Sequence, residues 1–289
     1  MERFVPWIFV LLWSTGFITA RLVAPHAEPL TFLSVRFFLC IVLFASAALL
    51  AGARWPSGLR GWANALGVGV MLQGIYLGGV FWAVRHGLPA GVSALIVSLQ
   101  PVLTVVLAWP MLGERPGPWR WTGTAMGFAG TALVVVPTLR LTSVVGFDPP
   151  EGVTVAACVL SMVAITLGTI WQKRTAATAD LRTNLALQFL GAFLLTAPLA
   201  MATESLRFDL VPAALTGLAW SVLGNSVAST VLLMLMIRRG AVAAVASLFY
   251  LVPAVSAVLA YAFFSEALTP LQIGGMALAA AGVAVANRI

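Results

Sequence analysis

The chain is 289 residues long, 61% hydrophobic and 9% charged, with a mean hydropathy of +1.02. A water-soluble surface needs roughly 25–35% charged residues, so this composition excludes a soluble fold and places the chain in a bilayer. The net charge of +7 does not mark a nucleic-acid surface, because the sixteen basic residues are scattered over many short links.

Crossing hydrocarbon takes about 20 apolar residues. Runs of that kind are predicted at 4–22, 29–51, 63–84, 89–112, 119–137, 151–172, 184–202, 212–237, 241–264 and 270–287. The first carries Trp13, Ser14 and Thr15. Met1–Arg21 reads as a retained span, with no small-residue cleavage site after it. The second holds Arg36 about seven residues in, on the order of 10 Å deep at 1.5 Å per residue. A guanidinium there needs partners or a wet cavity. Two roles fit it: a two-pronged grip on a substrate carboxylate, or a structural cation on backbone carbonyls.

Gln73 and Tyr76 share a face of the third span, beside Gly74, Gly78 and Gly79. Ser93, Val97, Gln100 and Thr104 form a semi-polar face of the fourth. Thr169, Trp171 and Gln172 close the sixth, Asn225 and Ser229 sit in the eighth, and Ser247 and Tyr250 in the ninth. These faces suit a cavity for a small molecule, although interhelical hydrogen bonding also explains polar side chains in hydrocarbon. Pro101 and Pro253 lie mid-span and are predicted to bend their helices, as hinges or as static kinks. Glu114 and Glu266 end apolar runs and read as turn residues that accept hydrogen bonds at the start of the next helix. His26 and His86 lie at span ends, and Trp7, Trp55, Trp62, Trp119 and Trp121 fit interfacial belts. Cys40 and Cys158 suggest neither a metal nor a disulfide, and no cofactor is called for.

Loop charge orients the chain. Arg3, Arg54, Arg60, Arg115, Arg120, Lys173, Arg174, Arg182, Arg238, Arg239 and Arg288 fall on one side, and Arg21, Arg85, Arg140 and Arg207 on the other. Eleven against four places both termini in the cytoplasm.

A shift of 152 positions superposes one half on the other. Pro101, Glu114, Gly123 and Gly130 fall on Pro253, Glu266, Gly275 and Gly282, and Gly16, Thr31 and Phe37 fall on Gly168, Thr183 and Phe189. Arg36 falls on Gln188, polar but uncharged. The chain therefore reads as a duplication, 4–137 and 151–287, within one membrane domain, 1–289. Five spans per half is odd, so the halves insert in opposite senses about an axis in the membrane plane.

With Trp13-Ser14-Thr15-Gly16-Phe17, Arg36-Phe37 and the paired Pro…Glu…Gly…Gly segments, the chain resembles the drug/metabolite transporter superfamily. It is most similar to the EamA-type ten-span proteins, and among them to the YddG-type amino-acid exporters. The resemblance implies a central cavity lined by spans 1–4 and 6–9, alternating access, and an inner-membrane exporter of small metabolites.

The expectation is an all-α integral membrane protein of ten transmembrane helices in two inverted repeats, carrying amino acids, aromatic or neutral. Export of drugs or other metabolites is the alternative. A membrane-embedded enzyme would need paired acids, a His cluster or an activated Ser, and none stands out. The expected substrate contacts are Trp13, Ser14, Arg36, Gln73, Tyr76, Gln100, Trp171, Gln188, Asn225 and Tyr250. Lipids and one small-molecule substrate are the expected partners. A monomer fits, and the oligomeric state stays open.

Overall fold

The computed structural model describes residues 4–88, 90–144, 152–175, 180–239, 242–264 and 267–287; of these, the side chains of 17, 90–91, 136–144 and 264 are not described. The described residues are helical almost throughout, as hydrocarbon demands of a backbone with no water to bond. We label the helices α1 (Val5–Val23), α2 (Pro29–Leu50), α3 (Leu59–Arg85), α4 (Val92–Leu112), α5 (Pro118–Val144), α6 (Gly152–Thr175), α7 (Leu181–Thr203), α8 (Pro212–Arg239), α9 (Val242–Phe263) and α10 (Pro270–Ala286). Eight of them are long and apolar enough to cross a membrane. The others are α5, which opens on the polar stretch Trp119–Thr124, and the shorter α10.

Prolines start many of these helices. Pro6, Pro29, Pro212 and Pro270 each occupy the first turn, where a missing N–H costs nothing. Thr269 and Gln272 add a reciprocal cap at α10, and the Asp180 carboxylate accepts from the Arg182 N–H at α7.

Large apolar side chains face outward along the helices while many small polar ones are buried between them. Leu43, Leu50, Leu160 and Leu194 are exposed, while Ser14, Thr104, Ser161, Thr183, Gln188 and Ser229 are buried. Helices α2 and α7 pair through Phe37 and Phe189, whose ring centroids are 5.9 Å apart, and through Phe44 stacked on Phe189 at 5.8 Å. Helices α5 and α10 run antiparallel, with Gly123 against Gly282 and Gly130 against Gly275. Helix α1 packs on α8 and α9, and α6 packs on α3 and α4. Each of these pairings maps onto itself or onto another when positions are shifted by 152.

Four helices are interrupted, at equivalent positions in pairs. Val70–Ile75 of α3 and Ser221–Ala228 of α8 are wound as π-helix. Such segments recur at functional sites. In α4 the helix stops at Val97 and restarts at Gln100; in α9 a 3₁₀ turn, Leu248–Tyr250, intervenes. Pro101 and Pro253 sit in the first turn after these breaks. The expected bend of a continuous helix is therefore replaced by a stop and a restart. Proline has no N–H for the carbonyl four residues back, here Val97 and Phe249, and its ring clashes with that carbonyl, whereas the first turn of a helix tolerates it.

Candidate functional site

A cavity of about 670 Å³ opens at the face that carries the ends of α1 and α3. Arg21, Glu28, Arg85 and Arg207 frame its mouth. Ile18, Val80, Val84, Ala257 and Ala260 form alkyl walls. The floor is made at mid-helix by Trp13, Tyr76, Val97, Gln100, Ile165, Phe249 and Val252. Mostly apolar walls with a few convergent polar groups are the usual make-up of a small-molecule site, and the volume is in range.

Three pairs of lining residues are related by the 152-position shift: Trp13 with Ile165, Val97 with Phe249, and Gln100 with Val252. No other described lining residue has its counterpart in the lining. These six therefore mark where the two halves of the chain meet, at the bottom of the cavity.

Gln100 is the polar member of this set. It is 1% exposed; its Nε2 donates to Thr104 Oγ1 at 3.2 Å, and its Oε1 has no partner among the described residues. The Pro101 break places it at the start of a helical segment, turned to the floor. Ser93, one helical stretch earlier on the same lining, is 2% exposed, and its hydroxyl also lacks a partner. Trp13 and Phe249 meet edge to face, with centroids 5.2 Å apart. The floor thus offers three aromatic side chains, Trp13, Tyr76 and Phe249, alkyl surface and an acceptor without a donor among the described residues.

Of the residues expected to bind substrate, Trp13, Tyr76 and Gln100 line this cavity, as does the hinge candidate Pro253. The others lie in the packing around it. Arg36 is buried, and its Nε donates to Ser226 Oγ at 2.7 Å, tying α2 to the π-helical stretch of α8. Ser14 bonds Val10 O at 2.7 Å and Val252 O at 3.3 Å. Gln73 is buried in the π-helical stretch of α3. Its counterpart Asn225 donates to Leu12 O at 2.7 Å and Thr15 Oγ1 at 3.2 Å. Trp171 Nε1 donates to Asn64 Oδ1 at 3.3 Å, and Gln188 Nε2 to Asn184 Oδ1 at 2.7 Å. Tyr250 is fully buried in an apolar cluster, and Pro101 is buried beside the floor. Val97 lies on the face of the fourth span that the sequence marks as suiting a cavity; Ile165, Phe249 and Val252 were not expected at the site. Their signal is the shift itself, applied to Trp13, Val97 and Gln100.

At the mouth, two connections are tied together. Ala27 and Phe208 form a β-bridge, and Glu28 accepts from the Arg207 N–H at 3.0 Å and the Ser205 hydroxyl at 2.9 Å. The Arg207 N–H holds the Glu28 carboxyl below its ordinary range, and the Arg207 guanidinium does the same for Asp209 across a 2.7 Å ion pair. Glu204 caps α2, accepting from the N–H groups of Leu30 and Thr31 at 2.8 and 2.7 Å. His26 lies 3.8 Å from Asp209, and His86 stacks on Trp82.

At the opposite face, described residues tie helix ends together. Glu114 Oε1 accepts from the Val242 N–H at 3.2 Å, so it caps α9 rather than the next helix, α5. Lys173 Nζ donates to Ile237 O at 2.7 Å, and Arg174 reaches Met111 O; both satisfy carbonyls at helix C-termini. Glu266 lies outside the described residues. No group of three or more potential metal ligands occurs among the described residues, and Cys40 and Cys158 are buried free thiols.

Comparison with known proteins adds to this geometry. The profile of the EamA-like transporter family matches residues 6–136 and again 152–288. The transporter YvbV of Bacillus subtilis is 26% identical over 288 residues, 96% of this chain and 88% of that protein. A protein of Streptantibioticus cattleyicolor described as a "Probable terminal-alkyne amino-acid exporter" is 30% identical over 214 residues, 72% of this chain and 67% of that one. A "Probable amino-acid metabolite efflux pump" of Escherichia coli is 25% identical over 46% of this chain and 42% of its own length. A solved crystal structure superposes with a TM-score of 0.82 over 99% of this chain and 96% of that one, at 21% identity, which shows a shared fold.

Proposed function

The chain belongs to the EamA-like transporter family, and on that premise we propose that it exports small amino acids, neutral or aromatic, across a bacterial inner membrane by alternating access. The observation that carries the substrate class is the Gln100 acceptor. A buried carbonyl oxygen without a donor, beside Trp13 and Phe249, favours a ligand that brings an N–H and an apolar body. An α-ammonium supplies that donor as a charge-assisted bond, worth about 1.5–3 kcal/mol. Arg21 and Arg85 at the mouth draw in the carboxylate end, while Arg207 is taken up by Asp209.

In this reading α5 and α10 join the eight long helices as spans, and the two halves are inverted repeats. The antiparallel α5–α10 contact and the paired interruptions support both. Loop charge puts the termini in the cytoplasm and the mouth outside, so the structure is the outward-open state. Exchanging the conformations of the halves would close the mouth and open the other face around the same floor. The exporter and efflux names of the relatives support the direction. The alkyl walls at Val80, Val84 and Ala260 favour a second reading, export of a more apolar metabolite.

Counterflow of labelled amino acids in proteoliposomes tests the proposal. Neutral and aromatic amino acids should exchange, and their deaminated carboxylic acid analogues, which bring no N–H, should not compete. Exchange of uncharged apolar metabolites in place of amino acids would favour the second reading and remove the first.

A further inference from the structure

The face opposite the mouth is filled by an apolar cluster that includes Ile170, Leu233, Ile237, Val245, Phe249 and Tyr250. Shifted back by 152 positions, these become Ile18, Phe81, Arg85, Ser93, Val97 and Ser98, all of which line the open cavity. The same places in the fold frame open space on one face and a filled plug on the other. The plug side is the bulkier at several of them, with Tyr250 for Ser98 and Phe249 for Val97.

Two polar side chains in and beside this plug do not suit a permanent core. Tyr250 is 0% exposed, and its hydroxyl has no partner among the described residues. Its ring lies against Gly127, where a side chain would collide with it. Gln172, two residues beyond Ile170, is 1% exposed, and neither its Oε1 nor its Nε2 is partnered among the described residues. The counterpart of Gln172 is Ala20, another residue of the open lining. Buried polar groups are nearly always bonded, and leaving one bare is costly. Groups bare in one state of a two-state protein point to the state in which they are wet.

We propose that this plug is the closed inner half of the substrate route, and that Gln172 and Tyr250 become its polar lining when it opens to the cytoplasm. There they meet water and the polar end of the substrate. The inference rests on the reading of the chain as an alternating-access carrier of amino acids. It adds a second, inner set of contact residues to the floor.

The test uses the full-length protein in proteoliposomes, with Gln172→Cys probed by a membrane-impermeant methanethiosulfonate reagent on either face. Labelling should occur from the cytoplasmic face and rise roughly tenfold or more during amino-acid counterflow, since the position is buried at rest and is reached only as the inner-open state becomes populated. Labelling from the outer face, or labelling indifferent to turnover, overturns the proposal. Tyr250→Phe deletes one oxygen and carries the test by itself if the cysteine variant does not fold. It should raise thermal stability and slow counterflow, with binding from outside unchanged. Raised stability with unchanged counterflow makes Tyr250 a permanent core residue and overturns the proposal. If another transported solute drives the labelling and amino acids do not, the substrate reading falls and the inner route stands. If amino acids exchange while Gln172→Cys never labels, the inner route falls and the substrate reading stands.

Discussion

Gly130 and Gly275 pack backbone to backbone: a Cβ built on either would lie 2.7 Å from the other's carbonyl oxygen. Gly275 is the counterpart of Gly123, and Gly123 in turn meets Gly282, the counterpart of Gly130. The contact between α5 and α10 is thus the same contact made twice, as across a two-fold axis. Gly130→Ala must push two helix backbones apart, at about 1–3 kcal/mol. The gain of about 0.5–1 kcal/mol from replacing a helical glycine is smaller. Thermal unfolding in detergent should show a lower midpoint for Gly130→Ala and for Gly275→Ala. Gly274→Ala, where nothing lies within 4 Å of a Cβ, should hold or raise it.

Arg36 and Ser226 should behave as one unit. The 2.7 Å bond joins α2 to the π-helical stretch of α8, and neither residue lines the cavity. Arg36→Gln and Ser226→Ala should each lower stability, and the double variant should lose little more than either alone. The coupling expected of a charge-assisted bond is about 1.5–3 kcal/mol. Substrate affinity should be unchanged in both. Additive stability losses, or a loss of affinity confined to Arg36→Gln, would return Arg36 to the substrate.

Pro101 and Pro253 follow helix breaks, so restoring an N–H at either lets the two pieces of its helix join. Pro101→Ala and Pro253→Ala should change stability by less than about 1 kcal/mol. Both should slow transport more than they weaken binding, and they should bias accessibility in opposite directions, one toward each face. Shifts to the same face would make the breaks static.

The tie at the mouth depends on charge. Glu28 and Asp209 are held below their ordinary values of 4.5 and 3.8, so the tie is intact above those values and is lost as pH falls through the lower, folded ones. Protection of the amides in residues 24–28 and 205–211, taken relative to their intrinsic exchange rate at each pH, should be flat from pH 5 to 8 and fall below about pH 4. Glu28→Gln with Asp209→Asn should show the lowered protection at every pH.

The sequence makes much of this legible through periodicity in two senses. Apolar length marks the helices, and the 152-position shift equates the glycines of α5 with those of α10, although not their contact with each other. Trp13, Tyr76 and Gln100 stand out as polar or aromatic side chains in hydrocarbon. The π-helical stretches were not legible, because Gln73 and Asn225 look like ordinary polar residues and the extra residue per turn leaves no compositional mark. The side that Arg36 faces was not legible either: depth follows from residue count, but whether a guanidinium meets a cavity or a serine depends on how helices from the two halves cross. Tyr250 reads equally as a cavity or a core residue, since the same position faces space in one half and filled volume in the other.

Accessibility of the cavity floor tests the central claim most directly. Val97 and its counterpart Phe249 both line the floor, so a single cysteine at Val97 in the full-length protein should be reached from both sides in turn. The account predicts labelling of Val97→Cys from the outer face at rest and from the cytoplasmic face during counterflow, with saturating amino acid protecting it in each case. Labelling from one face alone under all conditions would contradict it.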